Sequence, residues 1–142
     1  PRISHGFLRE AKAEGTKTVE GLKKYIDQEL TIVVCEPSCA SALNDDLTDL
    51  IDDESVVTQL KEKVMMIDKF LEKEIASGKL NKTFESIAGN ILIHGHCHQK
   101  ALYGTSGMKS ILSKTNQTVG EIPSGCCGMA GSFGYEKEHY EI

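Results

Sequence analysis

The stretch Asn90-Ile-Leu-Ile-His94-Gly-His-Cys-His98 joins an apolar run to a cluster of histidine and cysteine side chains. The apolar residues from Asn90 to His94 predict a buried β-strand, because β-branched and bulky aliphatic side chains pack well on a pleated surface. The strand runs into the loop Gly95-His-Cys-His98, and a helix is predicted from about Gln99 to Ser113. Strand, loop and helix in this order form the repeating unit of parallel α/β folds.

The same order occurs twice more along the chain. Leu30–Val34 is almost wholly apolar, which predicts a strand buried on both faces, and it ends in Cys35-Glu-Pro-Ser-Cys39. The third predicted strand, Gln117–Ile122, is followed by residues 123–128 and by a helix that begins near Met129. Parallel strands joined by helices require right-handed crossovers. The sequence therefore predicts an α/β fold with a small parallel sheet of about three to four strands flanked by helices.

The remaining helices are predicted from the spacing of apolar residues. A first helix is expected between Phe7 and Leu30, with a break at Gly15 as an open alternative, because glycine costs a helix about 1 kcal/mol relative to alanine. A short helix is expected from about Ala40 to Ile51. The longest helix is expected from a Ser55 cap to Gly78, where a left-handed residue would end it. Its apolar stripe comprises Val57, Leu60, Val64, Met65, Met66, Ile67, Phe70, Leu71 and Ile75.

Cysteines follow every one of the three predicted strands. They are Cys35 and Cys39, then Cys97, then Cys126 and Cys127. Loops that leave parallel strands lie along one carboxyl edge of the sheet, where α/β folds bind their ligands. We therefore expect the cysteine loops at this edge, with the sulfurs of Cys39, Cys97 and Cys127 within about 10 Å of one another if they share one site. Burial of the cysteines as apolar fillers is the alternative, above all for Cys35.

Local sequence around the cysteines favours thiolate chemistry. Cys39, Cys97 and Cys127 each lie at or before a predicted helix start, where the helix dipole stabilises negative charge. Thiolates are ligands of iron–sulfur clusters and of zinc. Glycines 125, 128, 131 and 134 would let the backbone approach a bulky cluster, although a flexible turn also explains them. A phosphate loop does not fit, because no Lys-Ser or Lys-Thr pair follows these glycines.

Histidines 94, 96 and 98 surround Cys97. On a strand that turns into a helix, the three side chains are not expected to face one way. His96 and His98 are candidate metal ligands or hydrogen-bond partners of a cluster sulfur, and a purely structural role is the alternative for each.

Composition excludes several classes of function. The net charge of −5 leaves no basic stripe for nucleic acid. No apolar run reaches the roughly 18–20 residues of a membrane span, and no secretory signal is present, so a reducing cytoplasmic location is expected. The chain starts at Pro1 and stops at Ile142 within a helix-like segment, so we expect a fragment of a longer multidomain protein.

Three motifs carry a resemblance to a known family. Glu36-Pro-Ser-Cys39, His94-Gly-His-Cys-His-Gln-Lys-Ala101 and the segment from Gly125 to Glu136, with its Cys-Cys-Gly, resemble the cysteine-rich or CCG domain. This domain occurs in heterodisulfide reductase, in the iron–sulfur component of glycolate oxidase and in an anaerobic glycerol-3-phosphate dehydrogenase. The resemblance runs from near Gly6 to the end, and it is nearest to the carboxy-terminal part of FAD-linked glycolate or D-lactate oxidases.

The resemblance implies a ligand set and a cofactor. Carried over by position, the ligands are Cys39, Cys97, Cys126 and Cys127, and the cofactor is an iron–sulfur cluster of the 4Fe–4S type, or zinc as in some relatives. Cys35 is a further candidate, although the spacing Cys35-x-x-x-Cys39 departs from the CxxC usual in the family.

The resemblance also implies electron transfer from an FAD bound elsewhere in the parent protein. The partners would be the flavin and ferredoxin-like domains of that same chain, at the inner face of a membrane if the parent protein docks there. The parent would be a 2-hydroxy-acid dehydrogenase of the glycolate or D-lactate type, and the fragment alone is not expected to be catalytic. The rival hypothesis is a structural zinc-binding or protein-interaction domain without a redox role.

Overall fold

A computed structural model describes residues 2–81, 84–86, 88–125, 127 and 133–141. The chain divides into two compact units, Pro1–Asn81 and Lys82–Ile142. Each unit contains one pair of short parallel strands with helices beside it. The predicted α/β class is confirmed, and within the described residues the strands form two separate two-stranded parallel sheets.

The first unit contains two strands and four α-helices. They are α1 (Leu8–Ile26), β1 (Ile32–Val34), α2 (Pro37–Ser41), α3 (Glu54–Lys63), β2 (Val64–Met66) and α4 (Ile67–Ala76), with a π-helical turn at Ala42–Asp46 after α2. Strands β1 and β2 run parallel, with Ile32 opposite Val64 and Val34 opposite Met66.

The longest predicted helix, Ser55 to Gly78, is interrupted by the strand β2, so the prediction was wrong for Val64–Met66. Val64 and Met66 are buried on β2, where the backbone is extended and pairs with β1. The helical stripe continues through this segment, but the extended conformation gives the main-chain groups of β1 a hydrogen-bonding partner, which a helix over these residues would not supply. The cap is Asp53, which accepts the amide protons of Ser55 at 3.0 Å and Val56 at 3.2 Å. Gly78 follows α4 with φ +72°, as predicted.

The core of the first unit consists of apolar side chains from α1, α3 and β2. Its buried residues are Val19, Ile26, Leu60 and Val64. Helix α1 continues through Gly15, so the alternative of a break there is excluded. Gly15 is buried, and a Cβ at this position would lie 2.5 Å from Leu47 Cδ2. The absence of a side chain at Gly15 therefore allows the segment around Leu47 to approach α1 closely.

The second unit contains two strands and one α-helix in the part that the structure describes. They are β3 (Ile91–Ile93), α5 (Ser106–Ser113) and β4 (Val119–Glu121), with a π-helical turn at Gln99–Tyr103 and 3₁₀ turns at Phe133–Tyr135 and Lys137–His139. Strands β3 and β4 run parallel, with Ile93 opposite Glu121. The start of the helix predicted near Met129 lies outside the described residues.

The helix predicted from Gln99 to Ser113 is divided in two. Gly104 has φ +71°, a conformation that glycine adopts without steric cost, and the chain turns there before α5 begins. Gln99 is fully buried, and its Nε2 donates to the carbonyl oxygen of Gly104 at 2.7 Å. Thr105 and Lys109 both bind the Glu121 carboxylate, at 2.8 and 2.6 Å, which attaches α5 to β4.

The strands are less buried than their composition suggests. Val33 on β1 is 37% exposed and Leu92 on β3 is 70% exposed. The prediction that the first strand is buried on both faces was therefore wrong. Among the helices of the described ranges, none is long and apolar enough to span a membrane.

Candidate metal centre

The cysteines in the described part of the chain are accessible free thiols. Cys35, Cys39, Cys97 and Cys127 are all exposed and unpaired by disulfides. This excludes the alternative that these four are buried apolar fillers, including Cys35, for which that alternative was strongest. Cys126 lies outside the described residues. Accessible thiols that follow strands are suited to bind an incoming metal or cluster.

Cys39 is positioned by a capped helix start at the carboxyl end of β1. Pro37 occupies the first turn of α2, where its missing N–H costs nothing. The carboxylate of Glu36 accepts the Cys39 amide proton at 2.6 Å and the Ser38 amide and hydroxyl protons at 3.0 and 2.7 Å. The cap fixes the backbone of Cys39 while leaving its thiol accessible.

The same cap changes the acidity of both side chains. Partial burial acts to raise the pKa of Glu36, but hydrogen bonds from Ser38 and Cys39 outweigh it and lower this pKa to about 2. The pKa of the Cys39 thiol is raised, first by its hydrogen bond to Glu36, then by burial and by the carboxylate charge. The expectation that the helix start favours a thiolate at Cys39 was therefore wrong for the metal-free protein, because a carboxylate already occupies the anion position.

His96, Cys97 and His98 form a compact group after β3. One potential ligand atom from each of the three side chains lies within 4.8 Å of the other two. Cys97 Sγ is 4.0 Å from His96 Nδ1 and 3.6 Å from His98 Nδ1, and the two rings are stacked with centroids 5.3 Å apart. His96 and His98 thus both approach the sulfur of Cys97, while the exposed His94 is not a member of the group.

The donor set of this group fits a borderline-soft metal. One sulfur and two imidazole nitrogens are ligands that zinc and iron accept, whereas magnesium and calcium prefer oxygen. Three protein ligands leave a fourth position of a tetrahedral site open, so another loop would have to complete a closed site. His96 Nδ1 also accepts the His98 amide proton at 3.2 Å, which orients the first ring.

Cys127 lies in the loop that leaves β4, the strand paired with β3. Because β3 and β4 are parallel, the loops of Cys97 and Cys127 leave the same edge of this pair. The predicted placement of cysteine loops at a carboxyl edge is thus confirmed for the second unit. Cys39 belongs to the first unit, and that its sulfur shares one site with those of Cys97 and Cys127 stays a prediction.

Two residues near the cysteines were missed by sequence reasoning. The capping role of Glu36 could have been recognised from Pro37, because proline is common at the first position of a helix and thereby marks the preceding residue as the N-cap. The role of Lys100 could not have been recognised, because its Nζ donates to the carbonyl oxygens of Ser124 and Gly125, which lie far away along the chain.

The chain is similar to parts of two curated dehydrogenases. It is 21% identical over 142 residues to one component of the anaerobic glycerol-3-phosphate dehydrogenase of Escherichia coli (strain K12), across 99% of this chain and 35% of that protein. It is 24% identical over 139 residues to the D-2-hydroxyglutarate dehydrogenase of Pantoea ananatis (strain AJ13355), across 96% of this chain and 13% of that protein.

The chain therefore spans about a third or less of the length of these relatives. No protein-family profile and no solved structure matches it. The likeness supports an oxidoreductase-related module, because both relatives are dehydrogenases or components of one, and both extend well beyond the matched part.

Proposed function

We propose that this chain is an iron–sulfur electron-transfer module of a larger FAD-linked dehydrogenase. The observation that carries the proposal is the His96–Cys97–His98 group, exposed after a strand whose parallel partner leads to a second cysteine loop. Cysteine thiolates are the usual ligands of iron–sulfur clusters. The likeness to dehydrogenases supports an oxidoreductase role for such a site.

The proposed ligands are Cys39, Cys97, Cys126 and Cys127, with Cys35, His96 and His98 as further candidates. When bound, a cluster of the 4Fe–4S type supplies one-electron transfer. The chain's own contribution would be to hold the thiols, to orient the imidazoles beside Cys97 and to keep Cys39 protonated through Glu36 until metal displaces that proton. The resulting sulfur environment would set the reduction potential.

The substrate and partners of the parent protein are proposed by analogy. A 2-hydroxy acid is the proposed substrate class, since the Pantoea relative is named for D-2-hydroxyglutarate, and this name does not favour glycolate or D-lactate over other members of the class. FAD would lie in a flavin domain, with ferredoxin-like domains between it and this module. Accessible free thiols suit a reducing, cytoplasmic location.

A structural zinc module is the second candidate. The observation that favours it is the proximity of two imidazoles to Cys97, because zinc accepts mixed nitrogen and sulfur ligands, whereas clusters are held mostly by thiolates alone. In that case the site would stabilise the fold and carry no electrons.

Anaerobic reconstitution with iron and sulfide, followed by metal analysis and electron paramagnetic resonance of the reduced protein, separates the two candidates. We expect bound iron and acid-labile sulfide, a broad visible absorption and a signal that appears on one-electron reduction. A colourless protein that retains zinc in preference to iron, and that loses its fold on chelation, would overturn the electron-transfer proposal.

A further inference from the structure

Lys100 connects the two cysteine loops of the second unit. It lies in the π-helical turn after His98, and its Nζ donates to the carbonyl oxygens of Ser124 and Gly125, each at 2.7 Å. These two carbonyls immediately precede Cys126 and Cys127 in the chain. One ammonium group thus links the backbone just after Cys97 to the backbone just before the cysteine pair.

Gly95 makes room for this connection. A Cβ at Gly95 would lie 3.0 Å from Lys100 Cγ and 3.2 Å from Lys100 Cδ, and Gly95 is buried. The aliphatic part of Lys100 therefore passes directly over the residue that precedes His96. A Cβ at Gly95 would also lie 3.0 Å from Thr105 Cγ2, so it would crowd both side chains and force a small shift of the Lys100 chain or of Thr105.

The segment that Lys100 holds is exposed. Pro123, Ser124 and Gly125 all lie at the surface, and proline at 123 has no amide proton to donate. Exposed loops with few buried contacts open at low free-energy cost unless specific bonds hold them. Hydrogen bonds from a charged donor are stronger than those between neutral groups, so two of them to adjacent carbonyls restrict this loop effectively.

We propose that Lys100 is a positioning residue that ties the backbone of Ser124 and Gly125, in the loop that leads to Cys127, to the turn that follows the His96–Cys97–His98 group. This inference rests on the proposed function, in which both loops supply ligands to one site. The lysine contributes in two ways: it fixes the backbone before Cys126, and it keeps a positive charge where anionic sulfur ligands would gather.

A purely structural lysine is the rival explanation, and Lys109 provides the matched control. Lys109 lies in the same unit and forms a 2.6 Å ion pair with Glu121, which Lys100 also influences electrostatically. Lys109 has the same charge as Lys100, and both lower the pKa of Glu121, Lys109 foremost through its hydrogen bond and Lys100 through its charge alone. Lys109 pairs with a side chain of β4 rather than with the backbone of Ser124 and Gly125. Loss of Lys109 should weaken the unit without releasing that loop.

The first arm of the test measures Co²⁺ binding by the purified metal-free protein under anaerobic conditions. For Lys100→Met we expect Co²⁺ affinity to fall by about tenfold, as typical for residues that orient ligands, with a weaker thiolate-to-cobalt absorption per bound metal. Lys100→Arg, which can still donate to both carbonyls, should restore most of both signals. Lys109→Met should bind Co²⁺ like the wild type. Equal losses in the Lys100→Met and Lys109→Met variants would overturn the inference.

The second arm needs no metal. Hydrogen–deuterium exchange of the metal-free protein should show faster exchange around residues 122–127 in Lys100→Met than in wild type or Lys109→Met, with unchanged exchange in β3. Unchanged exchange in this segment would overturn the inference. If the wild type binds neither Co²⁺ nor iron, the proposed function fails, while the exchange result still decides whether Lys100 holds the loop.

Discussion

Glu36 performs two tasks at the start of α2. Its carboxylate satisfies the amide protons of Ser38 and Cys39, which a helix start leaves without intrahelical partners. The same negative charge opposes ionisation of the neighbouring thiol, so the pKa of Cys39 is raised. A helix start would by itself stabilise a thiolate, but the Glu36 carboxylate favours the protonated thiol of Cys39 instead. Because a protonated thiol is a poor nucleophile and is slow to oxidise, Glu36 lowers the reactivity of Cys39.

This protection predicts the pH dependence of Cys39 alkylation. A raised pKa leaves a smaller thiolate fraction at any given pH, so alkylation of Cys39 by iodoacetamide should rise only at higher pH than for an ordinary thiol. Glu36→Gln keeps an acceptor for the amide protons but removes the charge, and it should shift the Cys39 rate profile to lower pH and increase the rate severalfold near pH 8. Site-resolved mass spectrometry measures this, with Cys97 in the same sample as the internal control. An unshifted Cys39 profile would contradict the role given to Glu36.

Among the helices and strands, those whose conformation depends on the local sequence pattern were predicted correctly. The apolar runs before Cys35 and Cys97 were identified as strands because their composition is β-branched and apolar over a short stretch. Strand β2 was missed, since Val64, Met65 and Met66 continue a helical stripe and only the non-local pairing with β1 decides their conformation. The interruption of the predicted helix at Gly104 was not predicted, because glycine inside a helical pattern is often tolerated.

For the candidate site, too, local features could be predicted from the sequence and tertiary contacts could not. The cysteines and their positions after strands could be found from sequence, because residue type and order are local information. The approach of His96 and His98 to Cys97 and the reach of Lys100 to Ser124 could not, because both depend on side-chain directions and on tertiary contacts.

Helix α1 contains two glycines that should respond differently to substitution by alanine. Gly21 is exposed with open space around its Cα, so Gly21→Ala should stabilise the protein by about 1 kcal/mol through helix propensity. Gly15 faces Leu47, and Gly15→Ala must displace the end of that side chain, so the cost of overpacking offsets part or all of the same gain. The free energies of unfolding in urea measure the difference. Equal stabilisation by both substitutions would show that Leu47 moves aside freely and that the close contact does not matter.

At the scale of the whole molecule, the candidate ligands are distributed over two compact units. Cys35 and Cys39 belong to the first unit, and Cys97 and Cys127 to the second. A bound metal stabilises the state that presents its ligands, so metal binding by these residues would be coupled to the folding of the unit that carries them. Within the described part of the second unit, His96, Cys97 and His98 offer three ligand atoms within 4.8 Å, which is fewer than a closed tetrahedral site requires.

The central proposal is that Cys39, Cys97 and Cys127 are ligands of an iron–sulfur cluster, and single serine variants test it most directly. Iron and acid-labile sulfide are measured after anaerobic reconstitution of the wild type and of Cys39→Ser, Cys97→Ser, Cys127→Ser and Cys35→Ser. We expect the first three variants to lose most of the bound iron, because each removes a proposed ligand, while Cys35→Ser retains most of it. Full reconstitution of Cys127→Ser together with failure of Cys35→Ser would contradict the ligand assignment, and full reconstitution of all four would contradict the site itself.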